Sequence, residues 1–250
     1  MRYRTIWLSD IHLGTRGCQT EQLLDFLKSN ESEYLFLVGD IIDFWSLKRV
    51  PYWPRSHNTI VQKILRKARN GTSVIFIPGN HDEILRNYLN HSFGDIRLFE
   101  EYTHVLANGM KVHCLHGDIF DIITKYHKWV AVLGDVAYDF LLWLNRNFNW
   151  FRKKLGMGYW SISAAIKLAV KQAVSYISDF ENSVIEYAEI NNVEAILCGH
   201  IHHAEIRQSG KVLYINTGDW VESCTAIVEH FDGRLELIRW TDEAKDIDNN

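Results

Sequence analysis

Short apolar runs closed by polar or glycine-containing turns recur along the chain, at 6–9, 34–38, 74–77, 112–115 and 195–198. Runs of this length with such flanks predict buried strands. Between the early runs, Leu23, Leu24, Phe26 and Leu27, and then Ile60, Ile64, Leu65 and Ala68, fall at helical spacing, with Asn70-Gly71 as a C-terminal stop. This alternation predicts α/β layering. Toward the C-terminus, 212–215, Thr225–Glu229 and 235–240 are closely spaced β-rich runs joined by Gly-containing turns such as Asp232-Gly233, which predicts a partly antiparallel second sheet. From about 119 to 192 no such strand series occurs. Trp129, Trp143, Trp150 and Trp160 sit there among helix-compatible residues without proline, the pattern of a helical insertion. The expected organisation is one domain over 1–240 that carries this insertion, followed by a polar tail, 241–250.

Composition narrows the class. With 250 residues, 47% hydrophobic and 23% charged, the chain is neither a disulfide miniprotein nor a disordered tail. A net charge of −4 removes the global basic field of a duplex-binding protein. The start runs into Asp10 without the apolar core and cleavage site of a signal peptide, and no window approaches the roughly 18 uninterrupted apolar residues of a membrane span. Cys18, Cys114, Cys198 and Cys224 are far apart and mostly flanked by apolar residues, as expected of reduced, buried thiols. Together these features predict a cytoplasmic protein, with peripheral attachment to the inner face of the membrane left open.

Chemistry is concentrated where the predicted strands end. There the chain carries Asp10-x-His12, Gly39-Asp40-x-x-Asp43, Gly79-Asn80-His81-Asp82, His116-Gly117-Asp118 and Gly199-His200-x-His202. Each alone is weak, because a Gly-Asp turn usually just ends a strand. Five in one chain, all at strand ends, point to one site, since the carboxyl ends of strands are where α/β sites assemble. Two divalent ions a few ångströms apart need oxygen and imidazole ligands and a bridging carboxylate, for which Asp40 is the natural candidate. A neutral Asn80 ligand leaves the ion pair net positive and attractive to phosphate. Cysteine is missing from the motifs, which disfavours a thiolate site. Asp82 is expected to cap the helix after it, Asp118 to brace the loop behind His116, and His203 to face solvent. Gly14 and Gly218-Asp219 look like turn formers.

This motif series resembles, in order and from about Arg4 to Gly218, that of the calcineurin-like metallophosphoesterases. The resemblance implies a four-layer αββα sandwich of two mixed sheets flanked by helices, with the insertion as a helical lid. It implies one metal held by Asp10, His12, Asp40 and His202, and a second by Asp40, Asn80, His116 and His200. Manganese is the expected ion, with iron or zinc as alternatives. It makes His81 the acid that stabilises or protonates the leaving oxygen, Asp43 its orienting carboxylate, and an ion-activated water the nucleophile. Asn80 and His81 would also touch substrate.

The stretch 140–178 contains Arg146, Arg152, Lys153, Lys154, Lys167 and Lys171 but no Asp or Glu, interleaved with Trp143, Phe148, Trp150, Phe151, Tyr159 and Trp160. One reading is an ordinary amphipathic helix pair. The other is a lid whose apolar face takes lipid chains while Lys153, Lys154, Lys167 and Lys171 hold a diphosphate or an anionic membrane surface. Length, the 39–45 segment and the insertion resemble the UDP-2,3-diacylglucosamine pyrophosphatases of lipid A synthesis, which release UMP. The best-known members have arginine after the motif asparagine, where this chain has His81, and commonly Thr between the last two histidines and Arg-Pro beyond, where it has Ile201 and His203-Ala204. Competing readings are a related branch acting on another nucleotide-linked or phosphorylated lipid and a nuclease or cyclic-nucleotide phosphodiesterase, nucleic acid being the less favoured partner. A serine/threonine phosphatase and an inactive metal-binding scaffold rank below these.

Overall fold

The computed structural model describes residues 1–120 and 163–241, with the side chains of 163–170 and 172 outside that description. In chain order the elements are β1 (Arg2–Leu8), α1 (Thr20–Ser29), β2 (Glu31–Val38), α2 (Phe44–Arg49), α3 (Arg55–Arg69), β3 (Ser73–Ile77), a 3₁₀ turn (Glu83–Tyr88), β4 (Ser92–Phe93), β5 (Ile96–Leu98), β6 (Tyr102–Val105), β7 (Lys111–Cys114), a second 3₁₀ turn (Asp118–Phe120), α4 (Ser163–Ile190), β8 (Ala195–Cys198), β9 (Glu205–Ser209), β10 (Val212–Asn216), β11 (Thr225–Glu229) and β12 (Leu235–Arg239). The chain divides into two compact units, Met1–Ile119 with Val184–Asn250, and Phe120–Ser183. In the second, buried Phe120 and Phe180 meet edge-on at 5.9 Å.

The first unit holds two mixed sheets, ordered β12-β11-β1-β2-β3-β5-β4 and β6-β7-β8-β10-β9. In the first sheet β1, β2, β3 and β5 run parallel, and in the second β7, β8 and β10 do. The strands alternate, yet both faces are apolar. Leu35 and Leu37 of β2 join Phe26 and Leu27 of α1 and Ile60 and Ile64 of α3, whereas Phe36 and Val38 join Val112, Cys114, Ala195 and Leu197 of the other sheet. A strand buried on both sides reads as a continuous apolar run, which is why these strands show in the sequence. Each such side chain contributes roughly 1.5–3 kcal/mol. The outer face of the second sheet meets the end of α4, where Tyr187 stacks on His113 of β7 at 6.2 Å and Val184 and Ala188 are buried. Helix, sheet, sheet and helix follow one another, so this is the αββα architecture.

The sequence-predicted strands and helices α1 and α3 are present, and Asn70 with Gly71, at φ +100°, ends α3. The C-terminal strands correct the expected arrangement. Of the three runs predicted there only the first, β10, enters the second sheet, where it pairs with β8 and β9, while β11 pairs antiparallel with β1 and β12 with β11 on the edge of the first. Pairing partners are set by distant strands and do not show in the local pattern. β4, β5, β6 and β9 carry no sustained apolar run and were not predicted; β9, Glu-Ile-Arg-Gln-Ser, is a polar edge. All four cysteines are buried thiols. No helix among the described residues is long and apolar enough to cross a membrane. Most of the predicted insertion, and the tail beyond 241, lie outside the described residues.

Candidate metal centre

The five motifs follow the carboxyl ends of β1, β2, β3, β7 and β8, which parallel pairing within each sheet brings to a common end. Backbone bonds carry the pairing past the strands: Asp10 N–H donates to Gly39 O at 3.0 Å, His12 N–H to Asp40 O at 2.9 Å and Gly199 N–H to His116 O at 3.0 Å. The loops then turn through the left-handed region. Among the described residues eight non-glycine residues have positive φ, and five of them are Asp10, His12, Asp40, His200 and His202. Such backbone costs about 1–3 kcal/mol per residue and persists only where the surroundings enforce it. Glycine is needed where loops from the two sheets touch. At Gly39, φ +75°, an added Cβ would run into the His116 ring, and at Gly199 it would meet Ser9 and the Asp10 carboxylate.

Asp40 sits at the centre. Its Oδ1 accepts the His81 N–H at 2.8 Å, and its Oδ2 lies 3.4 Å from His116 Nε2 and 3.9 Å from both His12 Nε2 and His81 Nε2. Asp10 Oδ2 accepts the His200 N–H at 3.0 Å, leaving Oδ1 3.3 Å from His202 Nε2. Donor atoms of Asp10, His12 and His202 fall within 4.8 Å of one another, and so do those of Asp40, His116 and His200. Two imidazoles have their tautomers fixed from behind. His116 Nδ1–H donates to Val38 O at 3.0 Å and His12 Nδ1–H to Asp43 Oδ2 at 3.2 Å, so each turns its Nε2 toward the carboxylates.

Four buried atoms, Asp10 Oδ1, His12 Nε2, Asn80 Oδ1 and His116 Nε2, make no hydrogen bond. Buried polar atoms left so are rare and costly, and these four are donors suited to a divalent ion. The residues fit the metal pair that the sequence implies. Asp43 does more than the sequence suggested: Oδ2 also lies 3.0 Å from His81 Nδ1, and Oδ1 accepts the Ser46 N–H at 2.6 Å as the cap of α2. One carboxylate thus aligns two imidazoles and starts a helix.

Charges within the cluster shift one another. Burial pushes the Asp40 carboxyl upward, but the adjacent His116 outweighs it and holds Asp40 well below the ordinary range. Burial opposes charge on His116 too, yet the Asp40 carboxylate raises it to about 10. Asp10 is lowered, against burial, by His202, which is itself raised by Asp10. Asp43 is lowered, against burial, by bonds from His12 and His81, and His81 is raised, against burial, by Asp43. The site favours concentrated positive charge among carboxylates.

Asp82 corrects an expectation. It makes no side-chain cap on the following 3₁₀ turn. Instead it is fully buried and accepts N–H bonds from Gly79 at 2.6 Å, Ile41 at 2.8 Å and Ile42 at 3.3 Å, tying the β2 and β3 loops together. Burial, and then the Asp40 charge, raise it to about 6. Asp118 braces as expected, both its oxygens lying 2.9 Å from Nη2 of Arg86, which also donates to Pro78 O. His57 was not foreseen; it is buried, and its Nδ1 accepts the N–H of Gly14 in the His12 loop at 3.1 Å. Its only sequence signal was a histidine on the apolar face of α3. Gly14, φ +111°, and Gly218, φ +74°, are turns, and His203 is exposed. Lys153 and Lys154 lie outside the described residues, as does the side chain of Lys167, and Lys171 is exposed on α4.

Comparison with known proteins matches this geometry to a family. A UDP-2,3-diacylglucosamine hydrolase of Aliivibrio fischeri (strain MJ11) is 27% identical over 240 residues, covering 91% of this chain and 94% of its own. One of Shewanella halifaxensis (strain HAW-EB4) is 27% identical over 249 residues, covering 94% and 97%. Among solved structures, a phosphoesterase from E. coli aligns with 94% of this chain and 98% of its own at 14% identity and a TM-score of 0.45, a distance at which the fold rests on its own strand order. The model of calcineurin-like phosphoesterases matches residues 3–204, a span that contains every motif described above. By that match the chain belongs to the calcineurin-like phosphoesterase family.

Proposed function

We propose that this metal-dependent phosphoester hydrolase uses a dinuclear centre to cleave the pyrophosphate of a nucleotide-linked lipid such as UDP-2,3-diacylglucosamine. The observation that carries the dinuclear reading is the pair of three-residue clusters, Asp10–His12–His202 and Asp40–His116–His200, with Asp40 Oδ2 near His12 Nε2 of the first. One ion would be held by Asp10, His12, Asp40 and His202, the other by Asp40, Asn80, His116 and His200. When bound, divalent cations supply Lewis acidity toward the phosphoryl oxygens and the attacking water.

The chain's own residues do the rest. Asp43 Oδ2, 3.0 Å from Nδ1 of His81, supports the protonated form of that ring, so Nε2–H is the proton offered to the oxygen that leaves phosphorus. Asp82 keeps the β2 and β3 loops in fixed relation, which sets the distance from that proton to the ligands on Asp40. Asn80, neutral, would hold its ion without offsetting the charge that attracts the substrate. The lipid reading is supported by whole-length similarity to proteins named UDP-2,3-diacylglucosamine hydrolases and by the basic, aromatic 140–178 stretch.

Manganese-reconstituted protein incubated with UDP-2,3-diacylglucosamine should release UMP, with little turnover of a simple phosphodiester run in parallel. Brisk cleavage of the simple ester with the lipid nucleotide untouched would discard the lipid substrate and keep the metal chemistry.

A further inference from the structure

From residue 44 to residue 70 the sequence has no Asp or Glu, although the chain as a whole is acidic, with a net charge of −4. The first part of this stretch, 44–55, leaves the core altogether. It has no fully buried side chain, and it holds Trp45, Val50 and Trp53 at 42%, 69% and 39% exposure beside Lys48, Arg49 and Arg55, also exposed. The excursion is nevertheless fixed. Val50 N–H donates to Ser46 O at 2.9 Å, Trp53 Nε1–H to Asn58 Oδ1 at 2.8 Å, and the Tyr52 and Trp53 rings meet buried His57 edge-on at 5.8 and 5.3 Å. An ordered loop that keeps large apolar groups in water is suited to an apolar contact.

Tryptophan and valine alternating with arginine and lysine is the chemistry of the bilayer interface, where rings sit at headgroup level and cations meet lipid phosphates. Val50, the most exposed of the three, cannot stack on a nucleobase and gains only from entering an apolar phase, which favours a membrane over a nucleic acid. The segment also leads straight to the site. Phe44 N–H donates to His81 O at 3.1 Å, and the Trp45 ring centre lies 4.4 Å from that of His81. Trp45, Lys48, His81 and exposed Ile84 line one cavity.

We propose that 44–55 is a membrane-docking element that seats the mouth of the site on an anionic bilayer, with Val50 and Trp53 entering the headgroup layer and Arg49 and Arg55 against lipid phosphates. It deepens the lipid reading above but concerns the bilayer and not the ester, so the two fail separately. The test is flotation of the full chain with vesicles of phosphatidylcholine, alone or mixed with phosphatidylglycerol. Alongside it run the melting temperature and hydrolysis of bis-p-nitrophenyl phosphate without vesicles. The chain should float with the mixed vesicles only, and less so in high salt. Arg49→Glu and Val50→Asp should each lower the bound-to-free ratio roughly tenfold with melting and soluble-ester turnover unchanged. Undiminished flotation of both variants overturns the proposal, as does a wild-type chain that ignores anionic vesicles or that ignores them and retards an RNA oligonucleotide. A chain whose flotation is lost in Arg49→Glu but which never releases UMP supports the docking element and overturns the substrate reading.

Discussion

Two buried clusters of histidine and carboxylate lie in the two-sheet unit, and they are built on opposite principles. Glu229 of β11 is fully buried and uses both oxygens: Oε1 accepts from Arg4 and, at 2.8 Å, from the Ala107 N–H, while Oε2 accepts from Thr5 Oγ1 and lies 3.1 Å from His104 Nε2. All four side chains stand on regular strands. At the candidate metal centre five of the donor residues stand on left-handed backbone, and four donor atoms, Asp10 Oδ1, His12 Nε2, Asn80 Oδ1 and His116 Nε2, make no hydrogen bond. A satisfied network holds the sheets together, whereas a cluster of orphaned donors lowers its free energy only by taking up cations. Burial and residue type are alike in the two places. What separates a structural cluster from a functional one is whether its polar atoms are already paired.

The sharpest break in that comparison is Asp40→Ala. It should abolish metal uptake, read by elemental analysis, and lower turnover about 10⁴-fold, because the change removes the charge shared by the ligands. Glu229→Ala should do the reverse. It leaves half-buried Arg4 and buried His104 without their carboxylate and should cost about 3 kcal/mol in urea unfolding, while the folded fraction keeps its metal and its turnover. His81→Ala should separate chemistry from binding within the site, with metal content near that of the wild type and turnover lower by about 10²–10⁴-fold. Equal metal loss in Asp40→Ala and His81→Ala would contradict that division. Asp82→Ala strands the backbone N–H groups of Asp40, Ile41, Ile42 and Gly79 and should cost about 1–3 kcal/mol and lower turnover with it, an effect on both quantities that neither cluster alone would give.

The smallest effect is in pH. Burial pushes the Glu229 carboxyl up, but bonds from His104, Thr5, the Ala107 N–H and Arg4 hold it below the ordinary glutamate value. A pKa lower in the folded state means that the unfolded chain binds its proton first. The stabilisation is therefore complete above the unfolded pKa and is lost as pH falls through the folded one. Glu229→Gln should flatten the acid side of a plot of urea midpoint against pH; an unchanged acid limb would show that the network carries no such charge.

How much of this was legible in the sequence follows from how local each feature is. The strands buried on both faces showed as apolar runs, and the motif residues showed because glycine beside a carboxylate or imidazole at a strand end is a short-range pattern. Asp43 was legible as a partner of His81 but not of His12, because the second bond needs the β1 and β2 loops side by side. Asp82 read as a cap because capping is a local rule, yet burial among the N–H groups of a neighbouring loop gave it another task. Glu229 had no signal at all in a run that looked like any strand end. The sequence by itself determined which side chains can bind metal and which segments form strands, since residue chemistry and periodicity are properties of neighbours along the chain. Only the tertiary structure decided which sheet each C-terminal strand joins, which carboxylates are spent on backbone and which donors stay bare, because those outcomes depend on contacts between residues as far as 225 positions apart.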